Sequence, residues 1–225
     1  SNTAYLEVNA TSEDSSATAV GIGADTLYGT SSNSGEMVIW SDGTGPDSST
    51  GILVGEVMNG GTVVNTGIIR VDSANGDSFG INIGQLDGNL YQSGMIDAPV
   101  DEYAIFVKDG DGTAYLDAKG LIIGKLDFNN AEVVLRSDPN QSVNWTVDGS
   151  ALVTLDETSG IPWFNNGDQY ATFDTSGLVG LSNAAMGISR LGFSANLLAD
   201  RPSEGVTVSS KGGWNNNDAG AWVSG

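Results

Sequence analysis

The chain has no cysteine and no histidine, and its 225 residues include only eight Lys+Arg and five Pro. Without cysteine there is no disulfide scaffold, thiol nucleophile, Cys zinc site or iron–sulfur cluster. Without histidine, Ser-His-Asp catalysis and His-ligated metals are excluded. Against the few cations stand 28 Asp+Glu, giving a net charge of −20 and a pI near 4.1. A surface of that sign repels phosphate backbones, so nucleic acid is not an expected partner. It also suits a chain that must stay soluble at high copy number or in salty water. Long hydrophobic runs are missing as well: nothing approaches the ~20 apolar residues of a spanning helix, and no membrane insertion is expected. The chain starts at Ser1 without a basic and apolar leader, the pattern of a processed chain.

Glycine is what the chain has in excess, at 32 residues. With Asn, Asp and Ser it cuts residues 21–100 into short patches rich in Val and Ile: Glu36–Trp40, Gly51–Val57, Thr62–Val71, Ser78–Ile83 and Asn89–Ile96. Such patches read as strands. No long stretch carries a clean helical period. The best helix candidate, Asn183–Leu198, is interrupted by Gly187 and Gly192, each costing roughly 1 kcal/mol relative to Ala. An N-terminal strand over Ala4–Val8 is followed by the polar run Thr11–Ser16, a loop or linker. The expected division is an N-terminal strand and linker (1–20), a Gly/Ser-rich β region (21–100), a repeat region (101–182) and a C-terminal module (183–225).

Between residues 106 and 178 the sequence repeats itself. Phe106, Asp109-Gly110, Ala114, Leu116 and Asp117 align without gaps with Trp145, Asp148-Gly149, Val153, Leu155 and Asp156. They align equally with Trp163, Asn166-Gly167, Ala171, Phe173 and Asp174. Gly120-Leu121, Gly160-Ile161 and Gly177-Leu178 close the units, and a degenerate copy lies around Asn129-Asn130, Val133 and Leu135. Asp-Gly and Asn-Gly favour type I′ turns, so each unit reads as a β-hairpin, with Trp145 opposite Leu152 and Trp163 opposite Tyr170. Val143, Trp145 and Val147 alternate with Asn144, Thr146 and Asp148, one face buried and one wet. Tyr103–Val107 is apolar on both faces, which suggests a strand covered on both sides by a second sheet or another chain. The expected fold is therefore all-β, serial β-hairpin repeats forming an elongated or sandwich-like structure. Units with thin cores must cover their faces, which favours a homo-oligomer.

These serial units, of the form Val147-Asp148-Gly149, Leu155-Asp156, Gly160, together with Leu197-Leu198-Ala199-Asp200-Arg201-Pro202-Ser203-Glu204-Gly205, resemble bacteriophage tail fibres and related receptor-binding or spike-type virion proteins. The likeness covers about residues 100–205. After it, Gly212-Gly213-Trp214-Asn215-Asn216-Asn217-Asp218 departs from the distal module the resemblance would continue into. The resemblance implies a trimeric, β-rich virion structural protein. It would act with other virion proteins, attach to a host-surface glycan or protein without enzymatic activity or a cofactor, and sit on the virion surface or tail. An alternative is a cellular surface filament subunit or adhesin that assembles by strand addition through Ala4–Val8. A third reading is a polysaccharide depolymerase.

Individual residues carry more specific chemistry. Asp109-Gly110-Asp111-Gly112-Thr113 looks like part of a calcium loop, with Asp109 and Asp111 as ligands. The bidentate Glu of such a loop is replaced by Gly120, which favours a plain turn. Asp117, Asp156 and Asp174 could supply a glycosidase carboxylate pair, but they recur at one motif position and so read as turn-side acceptors before the closing glycine. Trp214, Asn216, Asp218 and Trp222 combine aromatic faces with amide and carboxylate groups, a glycan-binding set. Trp145 and Trp163 hold packing positions in the repeat, and Trp40 is assigned to neither packing nor binding. Asn9, Asn140 and Asn144 begin glycosylation triplets, a pattern that Asn- and Thr-rich chains also produce by chance.

Overall fold

The structure, a computed structural model, describes residues 1–156 and 158–173. Its strands follow one another in threes. The first three are β1 (Tyr5–Ser12), β2 (Thr18–Leu27) and β3 (Thr30–Asn33). Next come β4 (Glu36–Gly43), β5 (Ser48–Val57) and β6 (Thr62–Asn65), then β7 (Ile68–Ser73), β8 (Asp77–Leu86) and β9 (Asn89–Gln92). The fourth set is β10 (Met95–Asp97), β11 (Tyr103–Val107) and β12 (Thr113–Asp117). The fifth is β13 (Ile122–Ile123), β14 (Lys125–Phe128) and β15 (Glu132–Arg136). The last turn holds β16 (Val143–Asp148) and β17 (Leu152–Asp156), followed by β18 (Phe164–Asn166) and β19 (Gln169–Thr172).

Each of β1 to β12 pairs in parallel with the strand three places on, and β14 and β15 pair in parallel with the strand two places on. The result is three sheets: β1-β4-β7-β10-β13, β2-β5-β8-β11-β14-β16 extended by the antiparallel pair β19-β18, and β3-β6-β9-β12-β15-β17. We call them the first, second and third faces of a parallel β-solenoid. Alternation along every strand sends one set of side chains inward, where register stacks like on like. Ile52, Ile81, Ile105, Leu126 and Val147 form one such column, and Val63, Leu90, Ala114 and Val133 form another. All nine are buried. A single shared core is thus built from units that could not each enclose one.

The corner between the third and first faces is polar inside. Asn2 Nδ2 donates to Asn33 Oδ1 at 2.9 Å, Asn33 Nδ2 to Asn65 Oδ1 at 2.9 Å, and Asn65 Nδ2 to Gln92 Oε1 at 2.8 Å. Gln92 Nε2 then donates to the Gly94 carbonyl at 2.8 Å. Asn33, Asn65 and Gln92 are fully or almost fully buried, so this ladder supplies partners that water cannot. Two residues on, the chain needs glycine for close approach: a Cβ on Gly67 would lie 2.1 Å from the Gly35 carbonyl oxygen, and one on Gly94 2.1 Å from that of Gly67.

The all-β expectation holds: every element among the described residues is a strand. The hairpin repeat does not. β11 and β12, like β16 and β17, lie on different faces and pair with neighbouring coils rather than with each other. Trp145 therefore does not oppose Leu152. The physical reason lies in the turns. A type I′ turn needs two positive φ values, but among the described residues Asn130 is the one non-glycine with positive φ. Asp109-Gly110 and Asp148-Gly149 thus contribute only Gly110 (φ 128°) and Gly149 (φ 91°), at corners leading from the second face to the third. Only the last unit is a hairpin. There β18 and β19 are antiparallel with Asn166 opposite Gln169, so the turn is Gly167-Asp168 with Gly167 at φ 68°, as a type II′ turn requires. Tyr170 lies opposite Asn165 and, on its other side, Trp145, rather than Trp163.

Three smaller differences follow from the coil geometry. The patches Thr62–Val71 and Asn89–Ile96 are each two strands broken at a corner, β6/β7 and β9/β10. The first strand runs to Ser12, so the polar run begins within it. Tyr103–Val107 is not covered outside by a second sheet among the described residues; there Phe79, Tyr103 and Phe106 pack against one another on the second face.

Candidate functional site

The outward residues of the first face come together across coils because register is kept. One row reads Glu7, Val38, Arg70, Asp97, Ile123, and the next reads Asn9, Trp40, Asp72. The turn Pro99–Glu102, closed by the Glu102 N–H to Pro99 O at 2.8 Å, raises a lip with Val100 exposed. Rows and lip enclose a cleft of about 790 Å³ that runs along the solenoid axis. From the first coil to the fifth it crosses four inter-strand steps, roughly 19 Å at ~4.8 Å each.

The polar groups of the cleft are fixed. Arg70 Nη1 pairs with Glu36 Oε1, and Arg70 Nε lies 3.9 Å from Asp97 Oδ2. Glu7 accepts hydrogen bonds from Asn9 Nδ2 and Tyr5 Oη, both at 2.9 Å. Those two bonds, Asn9 first, hold the Glu7 carboxyl below its ordinary pKa, and the Tyr5 phenol is correspondingly raised by its bond to Glu7. Asp72 Oδ1 accepts the Ser73 N–H at 2.9 Å. Trp40 is half-buried, and among the described residues its indole makes no hydrogen bond and no ring stack.

Two pairs of outward aromatics are differently placed, while the exposed Tyr5 and Tyr28 also lack a ring partner among the described residues. Tyr91 and Tyr115 stack at 4.7 Å with planes 6° apart, and Arg136 lies over the Tyr115 ring at 4.4 Å. Phe79 and Tyr103 stack at 5.4 Å, with Lys125 5.5 Å from the Tyr103 centroid. These ring faces are turned toward neighbouring coils and are taken up by them, as the strand spacing dictates. They tie neighbouring coils together, whereas Trp40 has no ring partner on the described coils beside it.

The residues singled out by sequence lie elsewhere. Asp109 is exposed; it accepts Asn130 Nδ2 at 3.0 Å and the Gly110 N–H at 2.9 Å, and these bonds, Asn130 first, lower its pKa. Asp111 is exposed, and among the described residues no three acidic side chains converge as a metal site. Asp117 Oδ1 accepts the Lys119 N–H at 2.9 Å, and Asp156 Oδ1 the Thr158 N–H at 3.0 Å. Asp156 also pairs with Arg136 at 3.5 Å. Its pKa is lowered by its bonds to Thr158 and then by that arginine. Trp145 and Trp163 are buried with ring centroids 5.8 Å apart. Asp148 sits beside Asp127 on the second face, and Asp127 is raised above the usual carboxylate range by burial and then by the Asp148 charge. Asp174, Trp214, Asn216, Asp218 and Trp222, the helix candidate 183–198 and the segment 197–205 lie outside the described residues. Sequence reasoning missed Glu7, Asn9, Arg70, Asp72 and Asp97, because only the coil register brings them together. No family model, curated protein or solved structure matches the chain.

Proposed function

We propose that the chain is a non-enzymatic attachment protein of a virion, a tail fibre, spike or surface decoration, whose stacked coils present the first-face cleft to a host-surface glycan. The observation that carries this reading is Trp40: an unstacked indole between an amide (Asn9) and a carboxylate (Asp72) in an axial cleft. An aromatic face flanked by hydrogen-bonding groups is what a sugar ring needs. Glu7, held ionised by two hydrogen bonds, suits a fixed charge rather than a proton donor. Weak sites of this kind gain strength through copies held together, here a homotrimer. Labelled chain should adsorb to host cells and Trp40→Ala should not; equal adsorption by both would overturn the reading. In sedimentation the full chain should run as a closed trimer.

Two observations favour other readings. Asp127, with its raised pKa beside Asp148, has the character of a general acid, so a depolymerase would release reducing sugar from host polysaccharide and Asp127→Asn would abolish release. β1, β2 and β3 end their three sheets, and such edges accept added strands. A surface filament would give open-ended polymers that vanish on deletion of residues 1–14.

A further inference from the structure

We infer that the first-face cleft selects a saccharide chain bearing free amines, a hexosamine polymer without full N-acetylation, and rejects uronic or sialic acid polymers. This rests on the glycan-attachment reading above and names its ligand class. Three carboxylates, Glu7, Asp72 and Asp97, line the cleft, and a fourth, Glu36, pairs with Arg70 beside it. Its one cation, Arg70, is already engaged by Glu36 and Asp97. An acidic sugar entering here meets three lining carboxylates against one guanidinium, whose charge Glu36 already shares. An ammonium group meets the reverse: the unshared oxygen of Asp72, whose Oδ1 alone is occupied by the Ser73 N–H, and the Glu7 carboxylate, held in its charged form. The free Trp40 face lies in the row beside them and receives either the apolar face of a sugar ring or the cation itself. The cleft runs along the axis and crosses five coils, so the ligand is an extended oligomer lying parallel to the axis. The pairing of Arg70 with Glu36 and Asp97 holds the floor in place, which lessens the ordering cost of binding.

The test is calorimetric titration of the full chain with glucosamine and galactosamine oligomers, their N-acetylated counterparts and a galacturonate oligomer of equal length. An amine-bearing oligomer should bind best, at least about tenfold tighter than its acetylated form, and more weakly as salt is raised. Trp40→Ala should weaken binding by at least about tenfold. Asp72→Asn should weaken the amine-bearing oligomer by a larger factor than the acetylated one, so that the preference between them narrows. Both variants should keep the wild-type melting temperature. If the galacturonate or acetylated oligomer binds best and Trp40→Ala abolishes it, the amine preference is overturned and the glycan reading stands. If no oligomer binds, or Trp40→Ala binds as wild type does, both fall.

Discussion

At the residue scale, stability is concentrated in side chains that repeat from coil to coil. Asn65 is the middle of the corner ladder, accepting from Asn33 and donating to Gln92. Asn65→Ala leaves a donor and an acceptor buried without partners. Each costs about 1–3 kcal/mol, so the urea midpoint should fall by the corresponding amount; an unchanged midpoint would mean the ladder contributes nothing net. Asp127 makes a prediction of opposite kind. Its folded pKa lies above its unfolded value through burial and the neighbouring Asp148. Such a carboxyl binds its proton more tightly when folded, so stability is lost as pH rises from the unfolded value through the folded one. Asp148→Asn removes part of that loss. The variant should be more stable than wild type at about pH 7, and the difference should shrink toward about pH 3, where carboxylates are protonated. Paired urea melts at the two pH values measure it.

At the element scale, much of the solenoid was legible and the connectivity was not. The inward positions of the repeat were aligned correctly on the third face, where Ala114, Val133 and Val153 are register partners, as are Leu116, Leu135 and Leu155. On the second face the same alignment slips. Asp148 pairs with Asp127, which belongs to the Phe106 row, so it is not the counterpart of Asp109. The cause is corner length: five residues separate β11 from β12 and three separate β16 from β17. Coil length also drifts, from 31, 32 and 27 residues between rungs of the Asn ladder to 19 between Thr113 and Glu132. A drifting period hides a solenoid from any search for fixed spacing. The legible signal was Asn33-Ser34-Gly35, Asn65-Thr66-Gly67 and Gln92-Ser93-Gly94, an amide two residues before glycine. Asp-Gly, by contrast, serves hairpins and solenoid corners alike, since both place the glycine at positive φ and only the hairpin asks it of the preceding residue too. The cleft shared this obscurity, for Trp40, Arg70 and Asp97 become neighbours only through register. The one hairpin among the described residues covers the last second-face strand, with β19 antiparallel to β16 and Trp163 against Trp145. Trp163→Ala should cost about 3–5 kcal/mol and expose amides of β16 to hydrogen exchange first. Uniform loss across all coils would contradict a capping role.

At the largest scale, the described residues combine a stack of coils with a cleft whose indole has no ring partner, in a chain of net charge −20. Parallel strands buried on one side only are sustained here by ladders on both surfaces: aliphatic columns and amides within, and the stacks Tyr91–Tyr115 and Phe79–Tyr103 without. The proposal of a virion attachment protein rests on the cleft and its Trp40. The most direct measurement is electron microscopy of the native assembly with gold-labelled antibody against this chain. The account places gold on projections or tails at the exterior of virus particles. Gold along cell-surface filaments, or confined to the cell interior, would contradict it.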